Sequence, residues 1–116
     1  MVWLSDSSLL KGFKNQCPKH KHTIITNELT FYGFPKQPDF AEITIKIVPN
    51  KQVVELMSVK KYLVQFRNVH ISYEGILDVI YKDFKRVYRP LKLYVRLETN
   101  PRGGIGSVLE KGYDNL

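Results

Sequence analysis

From Phe40 to Val48 the chain alternates: Ile43, Ile45 and Ile47 fall on one side, Glu42, Thr44 and Lys46 on the other. A period of two with one apolar side belongs to a half-buried strand, and any fold this chain takes must cover that side. Leu91 to Glu98 repeats the pattern, with Leu91, Leu93, Val95 and Leu97 set against Lys92, Tyr94, Arg96 and Glu98. Between these stretches the period changes. Val59, Tyr62, Leu63 and Phe66 recur at helical spacing over Ser58 to Asn68. A second helical stripe, Ile76, Val79, Ile80, Phe84 and Val87, begins after Ser72, a good N-cap, with Glu74 in its first turn and Pro90 at its end.

The rest of the chain is weaker in pattern. The β-branched run Thr23-Ile24-Ile25-Thr26 predicts a strand from His22 to Phe31, broken by Gly33, Pro35 and Pro38. Pro49-Asn50 reads as a turn, with a brief extension over Val53 to Glu55, and Asn100 to Gly104 as a turn before a last strand from Ile105 to Lys111. The order is β-β-α-α-β-β, an α+β pattern predicting an antiparallel four-stranded sheet with both helices on one face. Residues 1–21, polar and aperiodic, are expected to form a loosely ordered N-terminal arm, and residues 22–116 a single domain.

Hydrophobic residues make up 43% and charged residues 25%, which suits a core-forming chain and argues against disorder. Eighteen Lys and Arg against eleven Asp and Glu leave +7. That balance points either to an anionic partner or to a plain solvated surface. With one cysteine, Cys17, no disulfide can form within the chain. The start of the sequence lacks the basic and apolar regions of a signal peptide, and no stretch reaches the ~20 apolar residues of a membrane span. The expectation is a cytoplasmic protein with no membrane partner.

Four segments, in order, resemble the 7-cyano-7-deazaguanine (nitrile) reductase family. Glu55-Leu56-Met57-Ser58-Val59-Lys60-Lys61-Tyr62 is similar to its helix-entrance motif, with Met57 in place of a lysine and Lys61 a departure, and Phe66-Arg67-Asn68 follows intact. Gln37-Pro38-Asp39-Phe40 resembles the segment around the family's catalytic aspartate. Glu74 stands where the family has a substrate-binding glutamate, and Pro101-Arg102-Gly103-Gly104-Ile105 matches its last turn. The resemblance spans roughly Asn15 to Ser107.

The resemblance implies the tunnelling fold, NADPH as cofactor, and reduction of a nitrile on a 7-deazaguanine base in the queuosine (tRNA-modification) pathway. It also implies a homo-oligomer built from pentameric rings, single or paired as a decamer, with sites between subunits. In the family a cysteine thiolate attacks the nitrile, which turns a poor hydride acceptor into an imine-like one. The aspartate, here Asp39, moves protons. The glutamate, here Glu74, accepts from the N–H pair of the guanine-like edge. By the same resemblance Glu55 and Ser58 are candidates for substrate binding, and Lys60, Lys61, Arg102 and Gly103 for cofactor binding. The family's cysteine is missing. With a two-residue deletion its place falls on Phe34, and a family histidine is replaced by Tyr73. Cys17-Pro18-Lys19 looks like the start of the lost segment but lies 22 residues before Asp39, so Cys17 is a secondary candidate for the nucleophile.

Plainer readings stand beside these. Asp39 would also serve as a turn cap, Glu74 as a helix-start acid, and Lys60 and Arg102 as surface charges. Cys17, His20 and His22 would be a thiol and two imidazoles in solvent rather than a metal site, and no metal is expected. Gly103-Gly104-x-Gly106 precedes a strand and is not a dinucleotide fingerprint. Three functions follow: a divergent reductase-family enzyme, a non-catalytic purine-binding protein, or a tRNA-binding protein on the same fold.

Overall fold

The computed structural model describes residues 4–33, 37–101 and 103–112. Its elements are a 3-10 turn at Ser7–Leu9, then β1 (Gly12–Lys14), β2 (His22–Gly33), β3 (Gln37–Val48), β4 (Gln52–Val54), α1 (Leu56–Val64), α2 (Tyr73–Tyr88), β5 (Lys92–Thr99) and β6 (Val108–Gly112). The main sheet is antiparallel in the order β2-β3-β5-β6, as the alternation predicted, and β1 pairs with β4 in a separate two-stranded sheet.

The helix-facing side of the sheet is the core. Ile43, Ile45, Ile47, Val95 and Leu97 are fully buried, as are Ile76, Ile80 and Phe84 of α2 and Tyr62 of α1. Each such aliphatic side chain contributes about 1.5–3 kcal/mol on leaving water. β2 keeps its apolar residues inside through a register shift between Thr26 and Leu29, where three steps on β2 match two on β3. This bulge changes which parity faces inward. Ile24 points in before it, and Leu29, Phe31 and Gly33 after it.

Several boundaries differ from expectation. The segment expected as a loose arm is fastened from Ser5 to Lys14. Leu10 is buried, Ser5 Oγ reaches Asp83 Oδ2 at 2.6 Å, and β1 supplies β4 with a partner. The first helix stops at Val64 rather than Asn68, because the chain turns to bring Phe66 into the core. The last strand starts at Val108, since Thr99 N–H donates to the Ser107 carbonyl (3.0 Å) and closes the hairpin there. Leu91 precedes its strand and is exposed. Tyr94, expected outward, is buried on the open face of the sheet, where its hydroxyl meets Glu110 and Lys46 lies 5.3 Å from its ring centroid.

One buried charge had no sequence signal. Asp83, on the inner side of α2, receives hydrogen bonds at 2.6 Å from Tyr62 Oη, Ser5 Oγ and Arg86 Nη2. A buried carboxylate is tolerable only with such donors. Burial and the Asp83 carboxylate together push the Tyr62 phenol far above its ordinary range.

Candidate functional site

At the end of the β2–β3 hairpin the chain makes an additional connection. Tyr32 N–H donates to the Val69 carbonyl and Ile71 N–H to the Tyr32 carbonyl, each at 2.9 Å. The stretch 69–71 thereby lies beside the outer edge of β2. It delivers Ser72, whose hydroxyl accepts from Gly75 N–H at 3.0 Å, as the N-cap of α2. The start of α2 is thus fixed against the hairpin tip.

Gly33, Ser72, Tyr73 and Glu74 line a pocket of about 200 Å³ at this junction. Asp39 stands immediately behind it, 5% exposed. Its Oδ1 accepts from the Tyr73 hydroxyl at 3.2 Å, and Tyr73 is held edge-on to Phe31 with ring centroids 5.8 Å apart. The carboxylate occupies space that only glycine leaves open, since a Cβ on Gly33 would lie 1.8 Å from Asp39 Oδ2. Glu74, in the first turn of α2, is exposed at the mouth. Of the two acids singled out from sequence, Glu74 therefore lines this concavity, and Asp39 lies behind its wall in contact with Tyr73. Gly33 and the Tyr73 hydroxyl were not foreseen as parts of it; a glycine closing a strand and a tyrosine beside Glu74 were the available signals.

The other candidates are placed differently. Glu55 caps α1, its carboxylate accepting from Met57 N–H (2.9 Å) and Ser58 N–H (2.8 Å). Ser58 is buried, and its hydroxyl accepts from Lys11 N–H (3.0 Å) and donates to the Glu55 carbonyl (2.5 Å). Both side chains therefore serve the helix start. Lys60 and Lys61 are exposed on α1. Lys60 borders a second, larger groove of about 410 Å³ between α1 and the outer edge of β2. Ile25, Leu56, Met57 and Val64 form apolar parts of its wall, with Arg67 and His22 also on its lining. Gly103 sits in a turn at φ 57°, while Arg102 and Phe34 lie outside the described residues.

Cys17 is exposed before β2 and is far from Asp39. His22 pairs with Ile47 and Phe31 with Asp39, so the eight steps along β3 between those pairs, at ~3.3 Å each, set the two ends about 26 Å apart. His20 Nδ1 is engaged by the Cys17 carbonyl oxygen. His22 is held below its ordinary pKa, first by burial and then by His20.

The sequence matches the QueF-like protein family over residues 38–115. Its relatives include NADPH-dependent 7-cyano-7-deazaguanine reductases. That of Chloroherpeton thalassium is 38% identical over 109 residues, covering 91% of this chain and 94% of the relative. That of Chlorobaculum tepidum is 37% identical over 111 residues, covering 93% and 95%. Among solved structures, the archaeosine synthase QueF-Like in its apo form superposes with a TM-score of 0.77 at 16% identity, covering 87% of this chain and 99% of that one. The fold is therefore the tunnelling fold expected from the sequence.

Proposed function

The chain belongs to the QueF-like family, and from that premise we propose that the pocket at its hairpin tip binds a 7-deazaguanine-type base. The observation behind this reading is the meeting of Asp39 and Glu74 around one concavity through Tyr73. Glu74, exposed at the mouth, accepts from the paired N–H groups of a guanine-like edge, and the charge-assisted pair fixes the base's orientation. Asp39, buried behind Gly33, is the group within reach of a proton on the bound ring or its substituent.

The thiol is the point of departure from a standard nitrile reductase. The sole cysteine precedes the far end of the hairpin, which lies about 26 Å from Asp39 along β3. We therefore read the protein as a divergent member that binds the base without capturing the nitrile through Cys17. A purine-binding protein without turnover is the alternative within the same reading.

The relatives are named as NADPH-dependent, and the groove between α1 and β2 has apolar walls for ring faces and the cations Lys60 and Arg67 for phosphates, with Glu28 on the same lining 4.0 Å from Lys60. Lys60 and Arg67 would hold the phosphates, with Lys61 beside them on α1. When bound, NADPH supplies a hydride. The exposed apolar residues Ile25, Leu56, Met57 and Val64 along this edge favour burial in a homo-oligomer. We propose pentameric rings. No helix among the described residues is long and apolar enough to cross a membrane, and a cytoplasmic setting suits a base substrate.

The test is incubation with 7-cyano-7-deazaguanine and NADPH, followed by absorbance and intact-mass spectrometry. The reading expects base binding, negligible NADPH oxidation and no adduct. An adduct mapping to Cys17 would reject the divergent reading and restore thiol chemistry.

A further inference from the structure

The positive charge of this protein is gathered at the pole opposite the base pocket. Segments 14–22, 46–52 and 85–92 contain nine of its eighteen Lys and Arg and none of its eleven Asp and Glu, so the remainder has nine cations against eleven acids. The three segments are joined in space. Asn15 N–H donates to the Lys51 carbonyl (2.9 Å), Gln52 Nε2 to the Val87 carbonyl (2.9 Å), and Leu91 N–H to the Val48 carbonyl (2.9 Å). His22 of the first segment pairs with Ile47 of the second.

Three of the nine cations have local partners: Arg86 on Asp83, Lys46 over Tyr94 and Lys85 over Tyr81. The other six, Lys14, Lys19, Lys21, Lys51, Arg89 and Lys92, are exposed, and none forms an ion pair among the described residues. Lys19 (φ 66°) and Arg89 (φ 44°) are also the two non-glycine residues with left-handed backbone there. Such a conformation costs on the order of 1 kcal/mol relative to glycine. Both strained turns thus present a cation where glycine would fit with less strain.

We propose that this pole binds the phosphate backbone of RNA. Six unpaired cations with no acid among them form an electrostatic footprint for a polyanion. Leu91 is the one exposed large hydrophobic residue in these segments and Phe13 the one at their border, too few for the broad apolar face of a membrane-inserting surface. Within the three segments no aromatic residue is exposed and Phe13, beside Lys14, is the one exposed ring at their border, so contact is mainly to phosphates. The surface lies outside the base pocket and does not depend on what that pocket holds.

Fluorescence anisotropy with a fluorescein-labelled RNA hairpin tests this, alongside flotation with phosphatidylserine vesicles. If most of the six cations engage, affinity falls about 10³-fold between roughly 50 and 200 mM KCl. Lys19→Gly and Arg89→Gly each weaken binding and reduce the salt slope by about 1, while leaving thermal stability unchanged or higher, since glycine relieves the backbone. Arg96→Gln, the same charge change on the open sheet face, leaves binding intact. RNA affinity unchanged in both glycine variants, or equally reduced in Arg96→Gln, overturns the proposal. So does vesicle binding without RNA binding, or binding to neither probe.

Discussion

The Tyr73 hydroxyl donates to Asp39 Oδ1 at 3.2 Å, tying the first turn of α2 to the tip of the β2–β3 hairpin. The bond matters because Asp39 is nearly inaccessible and Glu74 follows Tyr73 directly, so this contact links the positions of the two acids. Tyr73→Phe removes one donor from a buried carboxylate. A loss of about 1–3 kcal/mol in urea unfolding is expected, together with weaker binding of the base.

Gly33→Ala is the sharper probe of the same junction. The added Cβ would lie 1.8 Å from Asp39 Oδ2, so the carboxylate or the strand end must move. Destabilisation of about 1–3 kcal/mol is expected, with base affinity lost by calorimetry. Unchanged affinity would place the ligand elsewhere.

The Asp83 network predicts a purely structural effect. Asp83→Ala leaves the buried Tyr62 Oη unpaired and releases Ser5 Oγ and the exposed Arg86, and should cost about 1–3 kcal/mol. Chemical denaturation measures this directly, with the N-terminal segment becoming more susceptible to protease.

Alkaline stability follows from the buried phenols. Burial pushes Tyr88 from 10.0 up to about 12 and Tyr62 further still. Above pH 10 the unfolded chain loses phenolic protons that the folded one keeps, so stability falls as pH rises through the interval from 10 to about 12. Tyr88→Phe should flatten the decline over that interval in a pH series of thermal melts.

The missing thiol gives a chemical prediction. Cys17→Ala should leave base binding unchanged, given the ~26 Å between the ends of the hairpin. Phe34→Cys, which restores a thiol at the family's position in the alignment, should yield a covalent adduct with 7-cyano-7-deazaguanine by mass spectrometry.

How much of this was readable in advance depended on whether the signal was periodic. The alternation of Ile43, Ile45 and Ile47 and the stripe from Ile76 to Phe84 depend only on which side faces water, and both gave their elements correctly. Ser72 as an N-cap was legible for an equally local reason. The bulge after Thr26 was not, because nothing in Asn27-Glu28 marks an unpaired residue until β3 fixes the register. Asp83 carried no signal because its partner Tyr62 lies 21 residues away, and Tyr94 lies on the expected open face but is covered there, its partner Glu110 being 16 residues away. Asp39 and Glu74 were singled out through family resemblance, and the fold brings both to the hairpin tip. Glu55 and Ser58, singled out the same way, have side chains that hold the entrance of α1.

Isothermal titration of 7-cyano-7-deazaguanine into the parent and into Glu74→Gln tests the central claim most directly. An amide presents a donor where the carboxylate accepted, which for a charge-assisted pair should cost about 1–3 kcal/mol, or roughly 5- to 150-fold in affinity. Measurable binding by the parent and that loss in the variant are the expected result. Equal affinities, or no binding by the parent, would contradict the account and leave Glu74 as a helix-start acid alone.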